Sequence, residues 1–514
     1  MTTEAASLPA GTRRTLLTVC TMTATIMQAL DTTIANVALP YMQGSLSASQ
    51  DQISWVLTSY IVAAAVMTAP VGWLADRFGR KKLFLVCVGG FTIASLLCAI
   101  SQNIEQIVAF RLLQGMCGAA LVPLSQSVML DAYPIEQRGQ AMGIWGVGIM
   151  LGPIMGPTLG GWLTENYSWH WVFLVNLPVG VLTVFGLLVF MDETRRHEHL
   201  RFDWFGFLAL AAGIGGMQLM LDRGEQLGWF GSPEIVAELI VSIAGFYYFF
   251  AHSLTTDEPF VRFAIFKDRN FLIGCFFMVI MGLMLFSSMA LSAPFIQNVL
   301  GYPIETTGWL LASRGLGTLV GMAMIGRLLR LFEARYLILV GLILTASTMY
   351  QMTGFTADTS GRTIVICGLV QGLGMGLVFI PLSTVAFLTL APRFRTDGTA
   401  MLTLVRNVAS SAGISVVIAN LTNMTTTFRS QLAEHISPFN DALQGPDVTR
   451  WLDLATDQGR ALADQMITLQ AVIMAYANDF MLLTAICVLA IPFVFAIGST
   501  ASLRGTKVAV EVVE

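Results

Sequence analysis

Asp31 lies in Leu30-Asp31-Thr32-Thr33-Ile34-Ala35-Asn36-Val37, and it is the only acidic residue that the sequence places well inside an apolar run. An ionised carboxylate within hydrocarbon costs at least about 2.5 kcal/mol, so it must pair, take up a proton or face water. Three cations share this setting: Arg111, Arg314 and Arg406. Asp31 is about 25 Å of helix beyond Arg14 at 1.5 Å per residue. Arg111 opens a run of opposite direction and comes to a similar depth. The two are thus within reach of each other, either as a fixed structural ion pair or as a site where a proton on Asp31 competes with a ligand. Gln28, Asn36 and Gln114 are the neutral groups that join Asp31, Arg314 and Arg406 as candidate ligand contacts. Arg314 and Arg406 either hold an acidic ligand or bond backbone carbonyls.

The elements that must position these groups follow from composition. Of 514 residues, 55% are apolar and 12% charged, against about 25% charged in a soluble domain. Mean hydropathy is +0.70. A water-soluble globule is excluded, and a net charge of -4 offers nothing to nucleic acid. A bilayer-spanning helix needs about 20 mainly apolar residues, and the chain supplies fourteen such segments, near 16–39, 52–74, 82–101, 106–129, 138–162, 170–191, 203–221, 234–254, 270–293, 305–328, 336–354, 362–387, 397–420 and 479–499. The expected fold is all-α and integral to the membrane.

Basic residues orient it, because Lys and Arg gather on the cytoplasmic side. Of the 28, twenty fall in alternate loops on one side, among them Arg77, Arg80, Lys81 and Lys82, and five on the other. Both termini are expected in the cytoplasm. Arg13-Arg14 and the apolar run behind them lack a small-residue cleavage site and form the first span, not an export signal. The seven cysteines sit in apolar runs with no metal or disulfide spacing and read as small core residues.

An internal repeat organises the spans. Gln114-Gly115 followed by Pro123-Leu124-Ser125 returns as Gln371-Gly372 and Pro381-Leu382-Ser383, and Gly139-Gln140-Ala141-Met142 returns as Gly398-Thr399-Ala400-Met401. The offset of 257 to 259 residues equals eight helices. The expected plan is a six-helix half (1–195), two inserted linker helices (196–262) and a second six-helix half (263–514) with a long outer loop at about 422–478. Internal duplication of this kind is the build of secondary transporters. The loop holds a helical-looking run from Val448 to Ala475, either an ordered helix lying on the membrane or a docking surface for a partner.

Two motifs carry a family likeness. The loop after the second span, Gly72-Trp73-Leu74-Ala75-Asp76-Arg77-Phe78-Gly79-Arg80-Lys81-Lys82, resembles the loop signature of the major facilitator superfamily. That resemblance implies a conformational latch at Gly72, Asp76, Arg77, Gly79 and Arg80. The second-half counterpart has Arg330 where the acid would stand, which speaks against a symmetric second latch. The fifth span carries Gly148, Gly152-Pro153, Gly156-Pro157 and Gly160-Gly161. Glycines four apart permit close helix packing, and the pattern of Gly148, Gly152, Pro153, Gly156, Gly160 and Gly161 is similar to the superfamily's antiporter motif, departing from it at Pro157.

The phrases around Asp31 and Arg111 resemble those of the fourteen-helix drug:proton antiporters, the EmrB/QacA group, over essentially the whole chain. The resemblance implies proton-coupled export of hydrophobic compounds across the inner membrane, with Asp31 and Arg111 in proton coupling. For EmrB-like members it also implies a periplasmic adaptor of the EmrA type and a TolC-like outer-membrane channel. No cofactor and no metal are expected. A dedicated exporter of one metabolite, lipid or siderophore on the same fold is the alternative. An enzyme is disfavoured, since the five histidines lie in or near loops, and ATP-driven transport is too, since none of the four lysines sits in a phosphate-binding loop.

Overall fold

The computed structural model describes residues 10–134, 137–194, 202–256, 259, 261–391, 394–436, 452 and 454–497, which contain helix and no strand. Hydrocarbon offers no partner to backbone polar groups, so a spanning segment satisfies them internally as helix. The helical rods in chain order are α1 (Ala10–Ser45), α2 (Gln50–Thr68, continued by Val71–Phe78), α3 (Arg80–Ala99), α4 (Ile104–Ala132), α5 (Arg138–Asn166), α6 (Trp171–Phe190), α7 (Trp204–Arg223), α8 (Pro233–Thr255), α9 (Arg269–Val299), α10 (Ile304–Leu331), α11 (Ala334–Met352), α12 (Gly361–Ala386), α13 (Arg395–Glu434) and α14 (Asp457–Ala496). Ten of the described helices are long and apolar enough to cross a membrane, or twelve when each bent pair counts as one span. The two rods outside that number are the threonine-rich α1, which also carries Asp31, and α11, which opens on Arg335.

Polar caps fix the helix starts. Ser49 and Gln52 form a reciprocal capping box on α2, and Asn103, Asp203, Asp268, Ser360 and Thr456 each accept a backbone N–H at the start of α4, α7, α9, α12 and α14. Such caps are worth about 1 kcal/mol each.

The packing has a period of eight helices. Among the first six rods, α1 packs on α5 and α6, α2 on α4, and α3 on α4 and α6. Among the last six, α9 packs on α13 and α14, α10 on α12, and α11 on α12 and α14. The pair α7 and α8 pack on each other, and α7 also lies against α2 and α13. Gln218 Nε2 of α7 donates to Ser411 Oγ of α13 at 2.6 Å, and Thr58 of α2 donates to Asp222 of α7.

Glycine sets how closely these rods approach. On α5, a Cβ at Gly152 would lie 2.4 Å from the Ala29 carbonyl carbon, one at Gly156 2.0 Å from Thr33 Oγ1, and one at Gly160 2.8 Å from Ile34. Gly148 and Gly161 meet α1 at ordinary van der Waals distance. The opposite, earlier face, at Gly139, Gly143 and Gly146, is close-packed on α10 and α12. Arg138–Gly156 and Thr158–Asn166 meet at 40°; the side chain of Pro153 lies outside the described residues.

Three sequence expectations need correction. The last span does not begin at residue 479 but is continuous from Asp457, so the run up to Ala475 is the first part of α14 and not a helix lying separately on the membrane. Likewise α13 continues past 420 to Glu434, and Arg429 Nη2 pairs with Asp464 Oδ1 across the two rods at 2.7 Å. The outer loop is therefore largely a helical hairpin; residues 437–451 lie outside the described residues. Finally, Asp31 is not alone as a buried acid, because Asp479 of α14 is also fully buried. Six of the seven cysteines are buried, Cys117 is half-buried, and all are free.

Candidate functional site

Asp31 and Arg111 meet in the middle of the first six rods. Arg111 Nη1 donates to Asp31 Oδ2 at 2.6 Å, and both residues are 0% exposed. The ring is closed by Gln114, whose Oε1 accepts from Arg111 Nη1 and whose Nε2 donates to Asp31 Oδ1, both at 2.9 Å. Asn176 of α6 donates a third bond to the carboxylate at 3.1 Å and is shared with Ser95 of α3. Arg111 Nε donates to the Val56 carbonyl at 3.1 Å, and its guanidinium lies 4.2 Å over the Tyr60 ring. That approach depends on Gly115, where a Cβ would stand 2.4 Å from the Tyr60 carbonyl oxygen.

Each charge is thus matched. A buried ion pair holds only when its geometry is good and its remaining lone pairs and protons are satisfied, and three donors reach the carboxylate. Removing either charge would leave the other buried and unpaired. Gln28 stands about one turn before Asp31 on α1, its Nε2 3.4 Å from the Tyr60 hydroxyl. Asn36 is exposed on α1 and does not join the cluster.

The last six rods build a different centre on the same scaffold. Adding 257 carries Asp31 to Ser288, Arg111 to Gly368 and Gln114 to Gln371. Arg314 of α10 brings a guanidinium to Ser288 from a third helix instead, with Nη1 on Ser288 Oγ and Nη2 on Ser292 Oγ, both at 3.0 Å. Gln371 Nε2 reaches Ser288 Oγ at 3.4 Å. Among the described residues no carboxylate pairs with Arg314, and its Nε has no hydrogen-bond partner. Arg406 lies apart, on α13, with Nη2 3.3 Å from Asn407 Oδ1 and its guanidinium 6.0 Å from the Phe379 ring. Phe379 stacks on Trp145 of α5, whose Nε1 donates to Ser125 of α4. Arg406 therefore stands where the first and last six rods meet.

A charged cluster closes one end of this seam. Asp131 of α4 bonds both Arg80 of α3 and Arg395 of α13, and Ser127 bonds Thr396 at 3.1 Å. Asp76 accepts from Arg262 Nη2 at 3.1 Å, and Arg262 Nη1 lies 3.8 Å from Asp397. Gly79 turns the chain at φ 86°, which favours glycine, and a Cβ at Gly72 would overlap Asp397. Arg77 Nη1 is buried with no hydrogen-bond partner among the described residues. The partners of Asp76 and Arg80 are thus Arg262 and Asp131, neither within the loop itself.

Sequence reasoning missed Asn176, Tyr60 and Asp479. Asn176 was visible as a lone amide within an apolar span. Asp479 accepts from Asn420 Nδ2 at 2.7 Å while its Oδ2 has no partner among the described residues.

A family model described as Major Facilitator Superfamily matches residues 21–414. The chain belongs to that superfamily. Its likeness within it is to the multidrug export protein EmrB of Escherichia coli K12, 34% identical over 478 residues that cover 92% of this chain and 93% of EmrB. The fatty acid resistance protein FarB of Neisseria gonorrhoeae is 34% identical over 82% of this chain and 83% of its own. Among solved structures, the proton:xylose symporter XylE matches with a TM-score of 0.59 at 14% identity, covering 94% of this chain and 97% of that one; this likeness concerns the fold alone. The chain is therefore an EmrB-like, multi-pass membrane transporter, and not an enzyme.

Proposed function

We propose that this transporter exports hydrophobic drugs and other toxic compounds across the inner membrane in exchange for protons. The observation that carries the reading is the fully buried Asp31–Arg111–Gln114 ring, a carboxylate whose charge is neutralised inside the bundle. In this reading fourteen rods cross the membrane with both termini in the cytoplasm. Residues 1–195 and 263–514 rock as six-helix halves, with 196–262 inserted; the eight-helix period of the packing supports that division. A proton reaching Asp31 releases Arg111, and α4 transmits the change to Asp131 and the seam. The antiporter-motif glycines of α5, from Gly148 to Gly161, hold α5 against α1 within the first half, and Gly139, Gly143 and Gly146 present its other face to α10 and α12, the surface on which the halves move. The cluster of Gly72, Asp76, Arg77, Gly79 and Arg80 latches the cytoplasmic end. Substrate contacts fall to Gln28, Asn36, Gln114, Arg314 and Arg406 together with Asp31. One proton moving inward through 100 mV supplies about 2.3 kcal/mol, enough for a roughly 50-fold gradient of a neutral substrate.

The outer hairpin of α13 and α14 supplies the surface for a periplasmic adaptor of the EmrA type, leading to a TolC-like channel. Replacing residues 437–456 by a short flexible linker should abolish adaptor capture while ligand binding in detergent persists; undiminished capture sinks this part of the reading. The central test is substrate-induced proton release from purified protein in weakly buffered detergent, wild type beside Asp31→Asn. Release by wild type alone supports exchange at Asp31. Equal release by both makes the ring a structural pair and places coupling elsewhere.

A further inference from the structure

Arg314 is 6% exposed, yet the described residues provide it with no acidic partner. The two hydroxyls that hold it have no proton left over: Ser288 Oγ donates to the Leu285 carbonyl at 3.1 Å and Ser292 Oγ to the Ser288 carbonyl at 2.6 Å. They act as acceptors and position the guanidinium without neutralising it. The Nε edge remains unbonded. Burying an unpaired cation costs several kcal/mol even after relaxation, and Arg does not escape by losing its proton.

A narrow, partly enclosed cavity adjoins this cation, with room inside for about one water-sized body and an opening to the outside. Apart from Arg314 and the hydroxyls of Ser292 and Ser313, its wall is apolar, with Phe295, Leu310, Met352, Phe355 and Phe480 among the lining residues. Ser313 Oγ is committed to the Leu310 carbonyl at 2.6 Å. The backbone of Arg314 is clamped from behind, since a Cβ at Gly372 would lie 1.9 Å from its carbonyl oxygen. The result is a pre-positioned guanidinium with an unbonded Nε, beside a small, mostly apolar space that Arg314 helps to line.

We propose that Arg314 holds a monovalent anion in this cavity, within the last six helices and away from the seam. The planar edge of a guanidinium fits a carboxylate side-on, and a halide occupies the same fork. The apolar wall selects anions that lose water cheaply, so bromide and iodide bind more tightly than chloride, and a carboxylate enters best with an apolar body behind it. The proposal deepens the export reading, which counts Arg314 among the substrate contacts, and because occupancy is measured without transport the two can fail separately.

The experiment uses full-length protein in detergent and chloride-free gluconate buffer, with gluconate replaced stepwise by chloride or bromide at constant ionic strength. The thermal midpoint of wild type should rise saturably, with bromide half-saturating at a lower concentration than chloride. Arg314→Met should show no such rise. If that variant does not fold, Ser292→Ala serves in its place, and half-saturation should move up about ten-fold for the loss of one bond to a charged group. A parallel titration with decanoate separates the sources: competition with bromide assigns the fork to carboxylates as well as halides, and absence of competition to halides alone. An unresponsive wild type, or an equal rise in Arg314→Met or an unchanged half-saturation in Ser292→Ala, overturns the proposal.

Discussion

The first six and last six helices carry the same packing and opposite electrostatics. Around α1 and α4, a cation and an anion neutralise each other and every partner is accounted for. Around α9 and α12, the matching positions are Ser288 and Gly368, and a guanidinium from a third helix enters with hydroxyl partners alone. Helix packing and charge placement are thus separable: the first depends on glycines at corresponding places, the second on a few side chains that those glycines admit.

The largest test of this contrast removes one charge from each centre. Arg111→Met leaves Asp31 buried and unpaired and should cost about 3–5 kcal/mol, seen as a much lowered melting temperature in detergent. Arg314→Met removes a cation that has no acidic partner and, in chloride-free buffer, should cost under about 1 kcal/mol or stabilise, as apolar replacement of buried charge often does. Equal losses would break the contrast. Asp31→Ala should match Arg111→Met, and the double variant Asp31→Ala/Arg111→Met should recover most of the loss while abolishing substrate-induced proton release.

A smaller effect is expected at Asn176. Asn176→Leu takes one donor from the carboxylate and another from Ser95, and should cost about 1.5–3 kcal/mol by the same melting assay. The shared scaffold is tested by Gly115→Ala and Gly372→Ala, which stand 257 apart and would each drive a Cβ into a carbonyl, at Tyr60 and Arg314. Both should lose about 1–3 kcal/mol by overpacking; a loss at one and not the other would show that the two scaffolds differ after all. The smallest change is Tyr60→Phe. It gives up only the 3.4 Å bond from Gln28 and keeps the ring under Arg111, so stability should stay within about 0.5 kcal/mol.

Long apolar runs made most helices legible in the sequence, because twenty consecutive apolar residues have one use. Asp31, Arg111, Arg314 and Arg406 stood out for the complementary reason, as charges where charge is expensive. Asn176 escaped because a neutral amide in an apolar run has no such contrast. Asp479 was placed at a helix end because the residues before it, including Asp457, Arg460 and Asp464, are polar. Hydropathy reports where the membrane stops and not where a helix does. Gly368, Gly372 and Gly376 carry the same four-residue spacing as the glycines of α5, and on α12 they set the approach of α10. What no pattern in the chain showed is that Arg314 reaches Ser288 as Arg111 reaches Asp31, since that requires a third helix whose register only packing determines.

The overrun of α13 and α14 has a mechanical consequence. At 1.5 Å per residue the 40 residues of α13 extend about 60 Å, roughly twice the thickness of bilayer hydrocarbon. Both arms of the projecting pair are continuous with helices of the last six, and Arg429 and Asp464 tie them together. Any tilt of those helices is multiplied along the arm, as at the end of a pointer. A motion too slight to resolve within the bundle would sweep a measurable path at its tip, outside the lipid, where a spectroscopic label can read it.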